Sequence, residues 1–166
     1  MKPSDVPVGS VLHRELSDAY FYDAFEMELP TDGKNALEIY LACVSRTPAW
    51  VEKLMMLRNR IVGLFGLKNL GQMARVAPGG DASQYKVGDR VGIFSLLHLA
   101  DHEVVMTDDD HHLQVKVSVY RHACGKRVTV STVVHVKNLL GRIYMFVVVP
   151  FHKRIVPAVM ARGIAA

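Results

Sequence analysis

The chain has 166 residues, half of them hydrophobic, and a formal charge of +4 because 20 Lys and Arg residues outnumber 16 Asp and Glu residues. This length suits one domain with one core, and the composition excludes a disordered chain. The basic residues are scattered along the sequence without interleaved aromatic residues, so we expect no nucleic-acid partner.

An irregular N-terminal arm over residues 1–18 is predicted to precede a single domain over residues 19–166. The domain opens with the sequence AYFYDAFEMELP, whose aromatic residues and closing proline are typical of a strand. A helix is predicted next, from about Asn35, with apolar side chains along one stripe.

A second helix is predicted to begin at Thr47-Pro48, because threonine is a favoured N-cap and proline is favoured at the first helical position. We expect Trp50 to anchor this helix on the sheet as a buried aromatic residue. Its apolar stripe comprises Trp50, Leu54, Leu57, Ile61, Leu64 and Phe65. Residues 69–86 contain glycines and a proline without periodicity and are predicted to form a long loop.

Five strands are predicted in the second half of the chain, in GIFSLLHLA, HEVVMTD, HHLQVKVSVYRHA, RVTVSTVVHVK and RIYMFVVVP. Their short connections imply antiparallel neighbours. A closing helix is predicted over roughly residues 151–162, where Pro157 should produce a kink or an early end. The expected fold class is therefore α+β: a curved antiparallel sheet of five to seven strands, two helices after the first strand, and a C-terminal helix.

This order of elements resembles the helix-grip arrangement of the START and Bet v 1 superfamily, in which a sheet grips a C-terminal helix over an apolar cavity. More specifically, the segments "DAYFYDAFE", "PAWVEKLMMLRNRIVGLFGLK", "DHHLQVKVSV" and "GRIYMFVVVPFHKRIV" together resemble the bacterial family catalogued as domain of unknown function 2867. The resemblance covers roughly residues 17–160. It implies family membership but no activity, since the family carries no assigned chemistry.

Three aspartates and two histidines over residues 108–112 have three interpretations: a metal site, an acid–base site or a turn. A metal site needs several ligands that face one point. His111 and His112 are adjacent at the start of a predicted strand, so their rings are expected to point to opposite faces. Aspartates in turns commonly cap backbone N–H groups. We therefore favour a turn and expect no metal ion and no cofactor, with one histidine left to face a cavity mouth.

The candidates for acid–base chemistry are His112, His135 and Tyr144. For each of them a structural or surface role is the commoner one. Asp23 and His152 are likewise predicted to be exposed, at a strand edge and in the first turn of the last helix. Nucleophile-elbow and phosphate-binding glycine motifs are absent from the sequence, which excludes those classes of catalysis.

A cytoplasmic protein that does not span a membrane is expected. The longest apolar run, residues 143–151, is about half of what a spanning helix needs, and the N-terminus lacks the apolar segment of a signal peptide. Cys43 and Cys124 are too few for a disulfide scaffold and are predicted to be buried free thiols.

The favoured function is the binding of an apolar or amphipathic small molecule in a cavity between the sheet and the C-terminal helix. An enzyme is the less favoured interpretation. Two alternatives remain: a cyclase- or lyase-type enzyme that uses a cavity histidine or tyrosine, and a protein-interaction module, with a homodimer possible through a doubly apolar last strand. The predicted cavity lining comprises Trp50, Leu54, Phe94, Val117, Val134, Met145, Ile155 and Val159.

Overall fold

The computed structural model describes residues 1–29, 31, 33–63 and 81–164. These residues form seven strands: β1 (Lys2–Ser4), β2 (Phe21–Glu28), β3 (Arg90–Val91), β4 (Phe94–Leu99), β5 (Glu103–Asp109), β6 (Leu113–Arg121) and β7 (Arg127–Val136). They also form three α-helices, α1 (Ala36–Val44), α2 (Ala49–Gly63) and α3 (Leu139–Ile164), and 3-10 helices over Val11–Asp18 and Ala82–Gln84. The strands make one antiparallel sheet in the order β1-β2-β7-β6-β5-β4-β3. The predicted α+β class is confirmed.

The elements of the first half begin where their sequence signals place them. Asn35 caps α1 in a capping box: its side chain accepts from the Glu38 N–H at 2.9 Å, and the Glu38 carboxylate accepts from the Asn35 N–H at 2.7 Å. Helix α2 starts directly after Thr47-Pro48, as predicted. The predicted loop over residues 69–86 lies largely outside the described residues.

The predicted fifth strand, over residues 142–150, is wrong, because these residues belong to α3, which is 26 residues long. Asn138 lies directly before this helix and caps it by accepting from the Gly141 N–H at 3.1 Å. A short run of β-branched residues fits a buried strand and a buried helix equally well. The helix also continues through Pro150 and Pro157, so the early end expected at Pro157 does not occur.

The N-terminal arm is more ordered than predicted. Strand β1 pairs with β2 and so forms one edge of the sheet. Beyond it the arm reaches Glu103, a fully buried residue at the start of β5. The Glu103 carboxylate accepts from the Ser10 hydroxyl at 2.5 Å and from the Val11 N–H at 2.9 Å. It also accepts from the Ser118 hydroxyl at 2.6 Å, so three donors satisfy one buried carboxylate.

The two faces of the sheet are covered by different parts of the chain. Helices α1 and α3 pack on the inner face, where α3 runs back over β7 after the turn at residues 137–138. The arm packs on the outer face, in a small cluster formed by Val6, Leu12, Ala24, Val105 and Val133. The alternation of side chains along β6 and β7 therefore separates an interior beneath α3 from a thin layer beneath the arm.

Helix α2 packs differently from the prediction. Trp50 is 44% exposed and does not anchor the helix, whereas the neighbouring Val51 is fully buried in the core. Leu57 and Ile61 of the predicted apolar stripe are also exposed. The helical periodicity of the sequence identified the apolar residues of α2, but it did not predict which of them are buried. The residues that follow this helix lie outside the described part of the chain.

Helix α3 is long and apolar enough, by length and composition alone, to cross a membrane. Within Leu139–Arg162, an 18-residue window has a mean hydropathy of 1.4, and 17% of that window is buried inside the protein. Core helices of globular proteins pass the same test, so this feature by itself assigns the chain no location.

Candidate functional site

On the inner face of the central strand β6, two half-buried residues lie between two buried ones. Leu113 is 5% exposed and Val119 is 1% exposed, while Val115 and Val117 between them are only half-buried, although all four side chains lie on the inner face. The first end is closed by a cluster built on Leu113, Val134 and Met145. The other end belongs to the main core, which includes Val119, Val128, Val130, Val159 and Met160. The half-buried stretch between the two clusters is on the inner face of the sheet, the face on which α1 and α3 pack.

Polar groups adjoin this accessible stretch. The strand register places Asp23 of β2, Thr132 of β7 and Val117 of β6 in one row across the inner face. His152 reaches Asp23 from α3, with 3.2 Å between His152 Nε2 and Asp23 Oδ1. The Phe21 ring packs edge-on against the His152 ring, with 6.0 Å between centroids. Asp23 and His152 were both predicted to be exposed, and this prediction is wrong, because each side chain is largely buried.

The Asp23 carboxylate is incompletely satisfied. Its Oδ2 atom is buried and has no hydrogen-bond partner among the described residues. A buried oxygen without a donor typically costs about 1–3 kcal/mol, so such atoms are rare in structural roles. A ligand with an N–H or O–H group would supply the missing donor.

A second polar group lies where the β5–β6 turn meets the first turns of α3. The ring of His112 packs edge-on against that of Tyr144, with 5.2 Å between centroids. Arg58 of α2 donates from Nε to the Tyr144 hydroxyl oxygen at 3.1 Å. Two of the three predicted acid–base residues, His112 and Tyr144, are therefore in contact.

His112 is held by its backbone while its ring remains unsatisfied. The His112 carbonyl accepts from the Lys137 N–H at 3.0 Å. A Cβ at Gly141 would lie 2.2 Å from this carbonyl oxygen, so only glycine permits so close an approach of α3. The residue is 1% exposed, and neither ring nitrogen makes a hydrogen bond within the described ranges. Burial lowers the pKa of His112, against the opposing effect of the nearby Asp110 carboxylate.

The turn residues Asp110, His111 and His112 converge. His111 Nδ1 lies 2.8 Å from Asp110 Oδ1, and His112 Nδ1 lies 3.5 Å from Asp110 Oδ2. The two histidine rings are 5.4 Å apart, so the expectation that they point to opposite faces is wrong. The expectation of a turn holds for the backbone, since the Asp110 N–H donates to the Leu113 carbonyl at 3.0 Å.

Comparison with known proteins identifies the family. The model of the family described as "Protein of unknown function (DUF2867)" matches residues 15–159, which is most of the chain. The chain belongs to the DUF2867 family. No curated protein and no solved structure matches it. The family confirms the resemblance of the sequence segments, but any chemistry has to be inferred from the geometry of this DUF2867 domain.

His135, the third predicted acid–base residue, lies apart from the other two. It pairs in register with Gln114, and its side chain is on the outer face, opposite that of its neighbours Val134 and Val136. The sheet therefore separates His135 from His112 and Tyr144.

The predicted cavity-lining residues divide among three places. Phe94, Val117, Ile155 and Val159 lie in or against the main core, and Val134 and Met145 lie in the cluster at the other end of β6. On α2, Leu54 is half-buried and Trp50 is exposed. The lining of a cavity by these residues remains a prediction.

A separate cleft of about 280 Å³ lies near the β4–β5 turn, at the opposite end of β5 from His112. Three of its polar side chains are already engaged: Asn35 and Glu38 cap α1, and Asp81 accepts from the Ser83 N–H at 2.9 Å. These bonds stabilise local structure and leave little chemistry for a ligand.

Sequence reasoning missed Arg58 and underrated the pair formed by Asp23 and His152. Arg58 lies on the polar side of a predicted helix, where a solvated arginine is the ordinary case. Asp23 and His152 are 129 positions apart, and nothing local in either segment signals their contact. The alternation of FYDAF does place Asp23 on the same face as Phe21 and Phe25, and this was the one available signal.

Proposed function

We propose that this DUF2867 domain binds an amphipathic small molecule between the sheet and α3. The apolar part of the ligand lies against Val115 and Val117, and a hydrogen-bond-donating head lies at Asp23. The observation that carries the proposal is the buried Oδ2 of Asp23, which lacks a partner among the described residues and shares the inner face with the half-buried Val115 and Val117 of the central strand.

The chemistry of the head follows from what this end of the site offers. The Asp23 carboxylate only accepts hydrogen bonds, and His152 already lies against its Oδ1. A ligand amine or hydroxyl would satisfy Oδ2, whereas a ligand carboxylate would meet a like charge. We therefore expect amines and alcohols with an apolar tail to bind in preference to fatty acids of equal length.

A first experiment tests for the cavity with an environment-sensitive apolar dye. Wild-type protein should take up the dye, and Val117→Trp should abolish uptake because the indole fills the space beside β6. Val8→Trp is the matched control, since Val8 is 83% exposed, and it should leave uptake unchanged.

The free energy of unfolding of the same variants completes this test. Filling a cavity should leave the stability of Val117→Trp within about 1 kcal/mol of wild type, while overpacking a filled core costs ~1–3 kcal/mol. Wild-type protein without dye uptake, together with a strongly destabilised Val117→Trp, would contradict the proposal.

A second experiment tests the head group by competition. Dodecylamine should displace the dye at a lower concentration than dodecanoate does. Asp23→Asn should remove this preference while dye uptake persists, because the apolar wall is unchanged. An equal preference in wild type and Asp23→Asn would contradict the assignment of the head to Asp23 and leave the cavity itself intact.

Acid–base catalysis in the same interior is the second candidate function. It is favoured by one contact: Arg58 donates to the Tyr144 oxygen, which leaves the phenol proton available for another acceptor. Native mass spectrometry of ligand-loaded protein distinguishes the two functions. A bound compound that is recovered unchanged after long incubation supports binding, and a changed mass that depends on Tyr144 supports catalysis.

The interaction-module alternative loses the feature that suggested it. It depended on a doubly apolar last strand that pairs with another subunit, and residues 142–150 are helical. A homodimer through some other surface stays a prediction.

A further inference from the structure

We infer that the turn formed by Asp110, His111 and His112 is a binding site for a transition-metal ion of the zinc class. One ligand atom from each of the three residues lies within 4.8 Å of the other two. This inference is independent of the proposed ligand cavity, because it concerns a different set of side chains and a different ligand.

The spacing suits zinc after small side-chain rotations. Zinc bonds to histidine nitrogen and aspartate oxygen are about 2.0–2.2 Å long, which puts neighbouring ligand atoms of a tetrahedron roughly 3.3 Å apart. The Asp110 carboxylate faces both rings, one through each oxygen: Oδ1 lies 2.8 Å from His111 Nδ1, and Oδ2 lies 3.5 Å from His112 Nδ1. The ligand atoms of the two histidines lie within 4.8 Å of each other, and the 55% exposed side chain of His111 has room to turn toward His112 when an ion binds.

An independent observation points to a ligand at this turn: the buried ring of His112. Its residue is 1% exposed, and its two ring nitrogens have no hydrogen-bond partner among the residues that the structure describes. A metal bond from Nδ1 would satisfy a buried nitrogen that otherwise costs about 1–3 kcal/mol. Nδ1 already faces Asp110 Oδ2, so the ring is oriented toward the other two candidate ligands.

The backbone of the turn is fixed in a way that suits a metal site. The Asn138 side chain donates to the His111 carbonyl at 3.0 Å, and the Lys137 N–H donates to the His112 carbonyl at 3.0 Å. Both histidines are therefore held against the start of α3 before any ion binds. Three protein ligands leave a fourth position for water, the arrangement of zinc sites that remain open to solvent.

Calorimetric titration of the full chain with Zn²⁺ tests the site, with protein that carries no histidine tag and has been stripped of metal. Wild type should bind one ion per chain. His111→Ala should weaken binding by at least about tenfold, since even the loss of an outer partner of a ligand costs that much. His102→Ala is the matched control: His102 is also an exposed turn histidine that follows an aspartate, and its loss should change nothing.

A second variant and a spectroscopic measurement avoid reliance on His112, whose replacement can destabilise the fold. Asp110→Asn keeps an oxygen that accepts from the His111 N–H but removes the charge, and it should also weaken binding. In histidine side-chain NMR spectra, Zn²⁺ should shift the ring nitrogens of His111 and His112 and leave those of His102 unchanged.

Three results would overturn the inference. They are binding by His111→Ala as tight as that of wild type, an equal loss in His102→Ala and His111→Ala, and zinc-induced shifts that do not include the His112 ring.

Discussion

Each face of the sheet buries a carboxylate, and the two carboxylates differ in how many of their oxygens have hydrogen-bond donors. On the outer face Glu103 accepts from two hydroxyls and one backbone N–H. On the inner face Asp23 has His152 against one oxygen, and its other oxygen lacks a partner among the described residues. Both groups are buried or largely so, and they differ in how completely their oxygens are satisfied.

This difference separates a structural carboxylate from a candidate functional one. A buried acid with all its acceptor positions engaged stabilises the fold, because its removal leaves several donors without partners. A buried acid with an unused oxygen stabilises less and can still engage a ligand. Mutation of the outer-face carboxylate should therefore have the larger effect on stability, and mutation of the inner-face carboxylate should have the larger effect on ligand affinity.

The largest effect is expected for Glu103→Ala. It leaves the Ser10 and Ser118 hydroxyls and the Val11 N–H without their acceptor, and it creates a cavity. We expect a loss of about 3 kcal/mol or more in the free energy of unfolding, measured with urea. A loss no greater than that of Asp23→Asn would remove the distinction between the faces.

Thiol labelling of Cys43 measures the same effect without denaturant. Burial raises the pKa of the Cys43 thiol to about 12, so in a Cys124→Ser background labelling at pH 8 should require unfolding. A destabilisation of about 3 kcal/mol should accelerate labelling of Glu103→Ala by roughly two orders of magnitude. Rapid labelling of Cys43 in the parent protein would show that this part of the core is open.

An intermediate effect is expected for Ser118→Ala. The Glu103 carboxylate then keeps the Ser10 and Val11 donors and loses one hydrogen bond, at a cost of about 1.5–3 kcal/mol for a bond to a charged group. Urea unfolding of Ser118→Ala, Ser10→Ala and the double variant measures the coupling. Strictly additive losses would argue against one shared network.

The smallest loss of stability is expected for Asp23→Asn. The amide oxygen still accepts from His152, so the free energy of unfolding should change by about 1 kcal/mol or less. The same variant should show the largest change in the preference for amine ligands. A loss as large as that of Glu103→Ala would assign Asp23 a structural role.

Most of the fold follows from local sequence signals. Strand β2, the capped helix α1, the start of α2 and strands β4 to β7 were predicted because caps, turns and alternation are encoded within a few residues. The error at residues 142–150 has the same origin. Val147, Val148 and Val149 favour a strand locally. In the helix, Met145, Val159 and Met160 are buried in the two clusters on the inner face, while Val147 is exposed.

The candidate site was less predictable because its parts come from distant segments. The turn at residues 108–112 was recognised, and its geometry was misjudged because His111 and His112 lie in the connection before β6 begins at Leu113. Alternation of faces applies within a strand, and it does not apply to the residues of a turn. The contact of Asp23 with His152 depends on the path of α3, which no residue near Asp23 encodes.

The hydrogen bonds of Glu103 also bear on how the domain can be divided. The family match begins at residue 15, beyond both Ser10 and Val11. A fragment that begins at residue 15 lacks two of the three donors to the buried Glu103 carboxylate. Of the three, it keeps the Ser118 hydroxyl. We expect such a fragment to be insoluble or only partly folded, so the first 18 residues act as an integral part of the domain and its useful N-terminal boundary precedes Ser10.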